Sequence, residues 1–188
     1  MDNLVLNCTD ALDQPVKPAC PTDYGSRVVG IALMKKGGTF TVASSDYPTK
    51  SEFDAGITSG AITFIGGISN GTRTSQGGTT ISGDDTVSGG SELRDEVYRI
   101  AGKIQYVNEA ISRATEKYTR YPELKAWYFT DKNYVFGGPT GYTCSVHFGL
   151  KAQEGISKPV YIPFELDFIA TGTDPAGYDA DFDALVNS

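Results

Sequence analysis

The segment KPVYIPFELDFIATG sets Val160, Ile162, Phe164, Leu166 and Phe168 on one face of an extended chain, with Glu165 and Asp167 on the other. Period two is the mark of a strand with one dry face and one wet face. Such a strand needs sheet neighbours that share its dry side, so this stretch commits the chain to a layered β structure. Pro163 falls on the opposite face from the apolar residues and places the strand at a sheet edge or beside a bulge.

A second alternation supports the first. In EVYRIAGKIQYV, Tyr98, Ile100, Gly102, Ile104 and Tyr106 share one face, and Arg99, Lys103 and Gln105 the other. Shorter apolar runs read as further strands: SRVVGIALMK at 26–35, AITFIGGIS, KAWYFTD with YVFGG as a hairpin around Asp131-Lys132-Asn133, and YTCSVHFGL. One helix is predicted at about 108–121. Asn108 caps it, Ile111, Ala114, Tyr118 and Tyr121 recur at helical spacing, and Pro122 stops it. In TKSEFDAGITSG, Thr49 can cap a single helical turn. Strands and helices do not alternate, which excludes parallel α/β folds. The expected fold is mainly β: an antiparallel β-sandwich or partly closed barrel with one packed helix.

Between these segments runs TRTSQGGTTISGDDTVSGGSE, residues 72–92, a long polar loop of a length that compact domains seldom carry without a function. It lacks the lysine of a phosphate-binding loop, and the strand pattern resumes after it unchanged, so it is neither a nucleotide lid nor a domain linker. Its Gly77, Gly78, Gly89 and Gly90 give flexibility. Its pieces around Ile81 and Val87 have enough β tendency to pair with a neighbour's sheet edge, and Asp84 and Asp85 lie between them. These eight residues are the candidate assembly element.

The expected domain plan is an extended arm at 1–25 carrying Pro15, Pro18 and Pro21, one β domain at 26–170, and a mobile acidic tail at 171–188. The formal net charge is −7, with six acids and no base after residue 160. Phosphate contacts are made by Lys and Arg, so the acidic excess argues against nucleic-acid binding. Three cysteines, Cys8, Cys20 and Cys144, are an odd number and point to reduced thiols in the cytosol, with a Cys8–Cys20 bridge as the lesser alternative. The start MDNLVLNCTDALDQ has no basic export signal, and no run approaches ~20 apolar residues, so no membrane span is expected.

The residues offer little for catalysis. His147 is the single histidine, on the polar side of its strand with Thr143 and Ser145, and no G-x-S-x-G turn accompanies it. Scattered Cys cannot build a zinc site. Asp179, Asp181 and Asp183 resemble the opening of a calcium loop but lack its later glycine and bidentate glutamate. Glu165 and Asp167 share a strand face, where carboxylates solvate the surface. No catalytic residue, metal ligand or cofactor is therefore expected. Aromatics are the positive signal: seven of eleven tyrosines lie in 98–142. Core packing is the default for them, while Trp127, Tyr128 and Tyr134 are candidate interface aromatics, suited to a protein contact or sugar stacking.

From about residue 26 to 170 the layout resembles the virion proteins that build tail tubes, hubs and neck rings of tailed bacteriophages. DTVSGGSELRDEVYRIAGKI through AWYFTDKNYVFGGPTGY is most similar to tail or ring proteins of the crAss-like phages. The resemblance implies a β-sandwich with one helix, a long loop reaching a neighbouring subunit, and a homo-oligomeric ring in a virion assembled in the host cytoplasm. Its partners would be other tail, neck or portal proteins, and DNA would pass through the bore without specific binding. An acidic bore repels DNA and lets it slide. The alternative is a β-sandwich binding module, such as a head fibre, a decoration protein or a carbohydrate-recognition protein.

Overall fold

The computed structural model describes residues 25, 27–43, 46–75, 79–82, 91–94, 97–105, 107–119, 123–155, 159–169 and 176–186. In chain order, β1 (Val28–Lys35) leads to α1 (Lys50–Thr58), β2 (Ile62–Ile65) and β3 (Ile68–Ser75). Next come β4 (Thr79–Ser82), β5 (Ser91–Arg94), β6 (Val97–Ile104) and α2 (Glu109–Tyr118). The second half holds β7 (Leu124–Thr130), β8 (Tyr134–Phe136), β9 (Tyr142–Phe148), β10 (Ala152–Gln153), β11 (Val160–Ile169), β12 (Ala176–Tyr178) and α3 (Phe182–Val186).

Ten strands form one antiparallel sheet, and six of them close it. The ring runs β1–β7–β9–β11–β6–β3 and returns to β1 where Val28 faces Gly71. The fold is thus mainly β and antiparallel as expected, and of the β-sandwich and the partly closed barrel it is the barrel, closed by six strands. β2, β10 and the pair β8–β12 attach outside the ring.

β11 is a central strand, flanked by β6 and β9, which corrects the edge position read from Pro163. The reason lies in its neighbour. β9 ends its ladder at Phe148 opposite Phe164, and β10 resumes opposite Tyr161. Pro163 sits in that gap and loses no partner there; its carbonyl accepts from the Gly149 N–H at 2.8 Å.

Two cores result. The barrel interior holds the alternating residues of every ring strand, among them Ile31, Leu33, Ile100, Ile104, Leu124, Tyr128, Phe164 and Phe168. Tyr118 of α2 packs against this core, and its hydroxyl lies 2.8 Å from Thr63 Oγ1. As expected, Asn108 caps α2, accepting from the Ile111 N–H at 2.8 Å. The second core lies outside the barrel wall. Trp127 and Phe129 point outward from β7 and are covered by Phe53 of α1 and by Phe182 and Leu185 of α3.

α1 is a full helix rather than a single turn. Thr49 and Glu52 form a capping box, in which each satisfies an N–H that the first helical turn leaves without a partner. Burial raises the Glu52 pKa, but hydrogen bonds from the N–H groups of Ala43 and Thr49 and from the Thr49 hydroxyl outweigh it, and the net shift is downward. A lowered carboxylate pKa stabilises the fold above its ordinary value and loses that effect as pH falls through the folded value.

The segment expected as a mobile acidic tail is, from 176 to 186, part of this outer layer. β12 pairs with β8, and Gly177 lies under the Tyr47 ring so closely that a Cβ there would stand 2.0 Å from Tyr47 Cγ. Asp179 accepts from the Lys50 N–H at 3.1 Å, tying the segment to the start of α1. The acids face solvent while Phe182 fills the core, which is why composition alone suggested a free tail. Truncating a buried phenylalanine removes its packing and leaves a cavity, at a cost of about 3–5 kcal/mol. Phe182→Ala should lower the stability measured by urea denaturation by about that amount, whereas Glu116→Ala on the exposed face of α2 should change it by less than ~0.5 kcal/mol.

Candidate functional site

The stretch expected as a loop at 72–92 contains strand. Thr72–Ser75 belongs to β3, paired with β6, and β4 pairs with β5. The two ladders share one register. Ser75 faces Tyr98, and four residues further along each strand Thr79 faces Arg94. The barrel hairpin β3–β6 and the pair β4–β5, which forms a two-stranded sheet of its own among the described residues, thus pair in the same frame.

The β3–β6 hairpin is shaped by a bulge. The β3–β6 register shifts between Ser69 and Thr72, where Asn70 adopts φ 53°. Asparagine tolerates this left-handed conformation better than most residues. Gly71 follows, and a Cβ there would stand 2.1 Å from the Val28 carbonyl oxygen. Bulges bend a strand and raise its twist. Beyond Gly71, β3 has no further pairing with β1, and β6 begins its pairing with β11 at Val97. Among the described residues, β4 and β5 pair only with each other, so each carries an outer edge with unpaired backbone groups.

Side chains brace this hairpin on both faces. Arg73 donates to the Tyr128 hydroxyl at 2.6 Å, and its guanidinium lies 4.5 Å from the Tyr98 ring centre. Tyr98 stacks on Phe168, which stacks on Tyr142. On the outer face, Arg99 grips Asp167 through two hydrogen bonds of 2.7 and 2.8 Å, and Glu165 lies 3.2 Å away. The Asp167 hydrogen bond, reinforced by its charge, holds the Arg99 pKa above its ordinary value. Bidentate pairing fixes direction as well as charge, so β6 and β11 are locked together there.

Of the candidate assembly residues, Ile81 lies in β4 opposite Glu92. Gly77, Gly78, Asp84, Asp85, Val87, Gly89 and Gly90 lie outside the described residues, as do Cys8, Cys20 and, apart from Gly25, the arm expected at 1–25. The interface aromatics are corrected in part. Trp127 is 0% exposed and Tyr128 3%, each inside one of the two cores. The Trp127 indole N–H donates to the Gly138 carbonyl at 2.8 Å, so its polar edge is satisfied internally. Alternation placed the two on opposite faces correctly; it could not show that both faces are covered. Tyr134 is half-buried, its ring 5.2 Å from that of Tyr178. Tyr178, 53% exposed, is the outward aromatic that the sequence reading missed, hidden within the acidic segment.

Of the residues considered for chemistry, His147, Glu165 and Asp167 share the outer face of β9 and β11. His147 is exposed on β9 opposite Glu165, and Glu165 and Asp167 both face Arg99. Asp179 accepts from Lys50 and Asp181 N–H groups, a capping role. Among the described residues, no three His, Cys, Asp or Glu side chains gather as a metal site. No described helix is long and apolar enough to cross a membrane.

Cys144 is buried in the barrel, and burial pushes its thiol up to about 12 from an ordinary value of 9.0. In that window the folded chain keeps a proton that the unfolded chain releases, so this group's stabilisation is present below pH 9 and declines toward pH 12. Native protein alkylated at pH 8 should leave Cys144 unmodified by peptide mass spectrometry, and the same treatment in denaturant should label it.

No protein-family model matches the chain, and no curated protein matches it. Among solved structures, the chain is similar to one from the tail of an empty GTA particle determined with C6 symmetry. The two are 11% identical, with a TM-score of 0.37, over 66% of this chain and 90% of that one.

Proposed function

We propose that this chain is a structural subunit of a bacteriophage virion, an oligomeric ring or tube component of the tail or neck with a bore through which DNA passes. The observation that carries the reading is the two-stranded ribbon β4–β5, paired in the same frame as the barrel hairpin β3–β6 and with strand edges that no other described strand covers. Open edges of this kind pair readily with another chain. The sequence resemblance to tail, hub and neck proteins supplies the setting. The acidic balance of −7 suits a channel that DNA traverses without adhering.

The carbohydrate-binding alternative rested on an exposed aromatic platform. With Trp127 inside the outer core, that platform is missing from the described surface. Tyr178 and Tyr134 remain available to a protein contact.

Deleting residues 76–90 tests the reading. The shortened chain should keep the barrel, seen as unchanged cooperative unfolding, yet sediment as a monomer where the full chain forms rings or tubes under negative stain. An unfolded deletion variant, or one that still assembles, would refute it.

A further inference from the structure

Strands β9 and β11 carry complementary features at their two ends. The first is a knob. β9 ends at Phe148, and the Gly149 N–H donates to the Pro163 carbonyl at 2.8 Å, which carries the chain on past the ladder. Leu150 comes next and is 90% exposed. Lys151 follows it, also exposed, and among the described residues no carboxylate pairs with it.

The second feature is a cleft of about 290 Å³ at the other end. β9 pairs with β11 as far as Cys144 opposite Phe168; from there β9 is held by β7, while Ile169 of β11 goes on to face Val97 of β6. The two strands part, and Val97, Phe168 and Ile169 line the gap with Ser145. Ile169 is 49% exposed, so the cleft leaves apolar surface in water. Its lining includes Glu123 and Asp167 and no base. Lys36 and Arg99 hold these two carboxylates, and Glu165 shares Arg99, so three acids against two bases leave the rim at −1.

A single exposed leucine is common on protein surfaces. Here shape and charge agree: an aliphatic side chain followed by a cation at one end, an apolar cleft with an acidic rim at the other. Leu150 does not reach its own cleft. The ladder from Cys144 to Phe148, four steps of ~3.3 Å, holds the two ends about 13 Å apart, and the Gly149 bond keeps the chain running away from the cleft. Knob and cleft therefore meet only between copies.

We propose that Leu150 and Lys151 of one copy seat in the β9–β11 cleft of the next, Leu150 against Val97 and Ile169, and Lys151 beside Glu123 and Asp167. Unlike surfaces meet, so the contact is head-to-tail and closes into a ring or extends as a tube according to the rotation between copies. It rests on the oligomeric reading above and adds to it the surfaces through which copies touch.

Leu150→Asp removes the knob and Ser145→Trp fills the cleft. Each should weaken self-association about tenfold or more by analytical ultracentrifugation. Lys151→Glu should weaken it several-fold, with a larger effect at low salt than at high salt. All three positions are exposed, so melting followed by circular dichroism should be unchanged. Thr143, also exposed, lines the same cleft. Mixing Thr143→Cys chains with Leu150→Cys chains under oxidation should give a bridge between positions 143 and 150 by peptide mass spectrometry. Neither chain holds both new thiols, so that bridge forms only between copies. Normal assembly of Leu150→Asp, or assembled mixed chains without the bridge, would overturn the contact while leaving the oligomer standing. A wild-type chain that stays monomeric at every concentration, and is absent from virions, would overturn both.

Discussion

Both cores of the molecule depend on β7. One side of this strand gives Leu124, Ala126 and Tyr128 to the barrel interior; the other gives Trp127 and Phe129 to the outer layer. The same strand closes the ring, pairing with β1 along most of its length and with β9 at its beginning. Its ladder to β9 is short, from Leu124 to Ala126, and only the single pair Val28–Gly71 between β1 and β3 is a narrower joint in the barrel. The strand is therefore held by burial on two faces at once. Each buried aromatic contributes hydrophobic free energy on the order of 2–3 kcal/mol, and edge-to-face contacts among Trp127, Phe129, Phe53 and Phe182 add direction to that burial.

This arrangement leaves the remaining surface free for assembly. The rigid parts, β6 and β11, are clamped by Arg99 and Asp167 beside the end of β3, and α2 sits at the other end of β6. The bulge at Asn70 and Gly71 belongs to the same design, because it frees β3 from β1 beyond Gly71.

Much of the barrel was legible from period-two alternation. The faces of β6 and β11 are as read, and so are the hairpin at Asn133 and the α2 cap at Asn108. Those signals are local, carried by residues within a few positions of each other. What could not be read depended on distant partners. Pro163 looked like an edge marker because the end of β9 opposite it, where the Gly149 N–H turns to the Pro163 carbonyl, belongs to a segment outside its own strand. Trp127 looked available because Phe53 and Phe182, more than fifty residues away on either side, supply its cover. The piece around Ile81 was legible as β-prone and is β4, but its pairing with Ser91–Arg94 was not. That pairing is a matter of register, and register is a property of two segments together.

The outer layer has a consequence for how the chain is made. Phe53 precedes β7 in the chain and can cover Trp127 and Phe129 as soon as that strand is made, whereas Phe182 and Leu185 arrive only with residues 176–186. A chain cut short in translation before that segment would leave part of the aromatic face open, a surface that chaperones and proteases recognise.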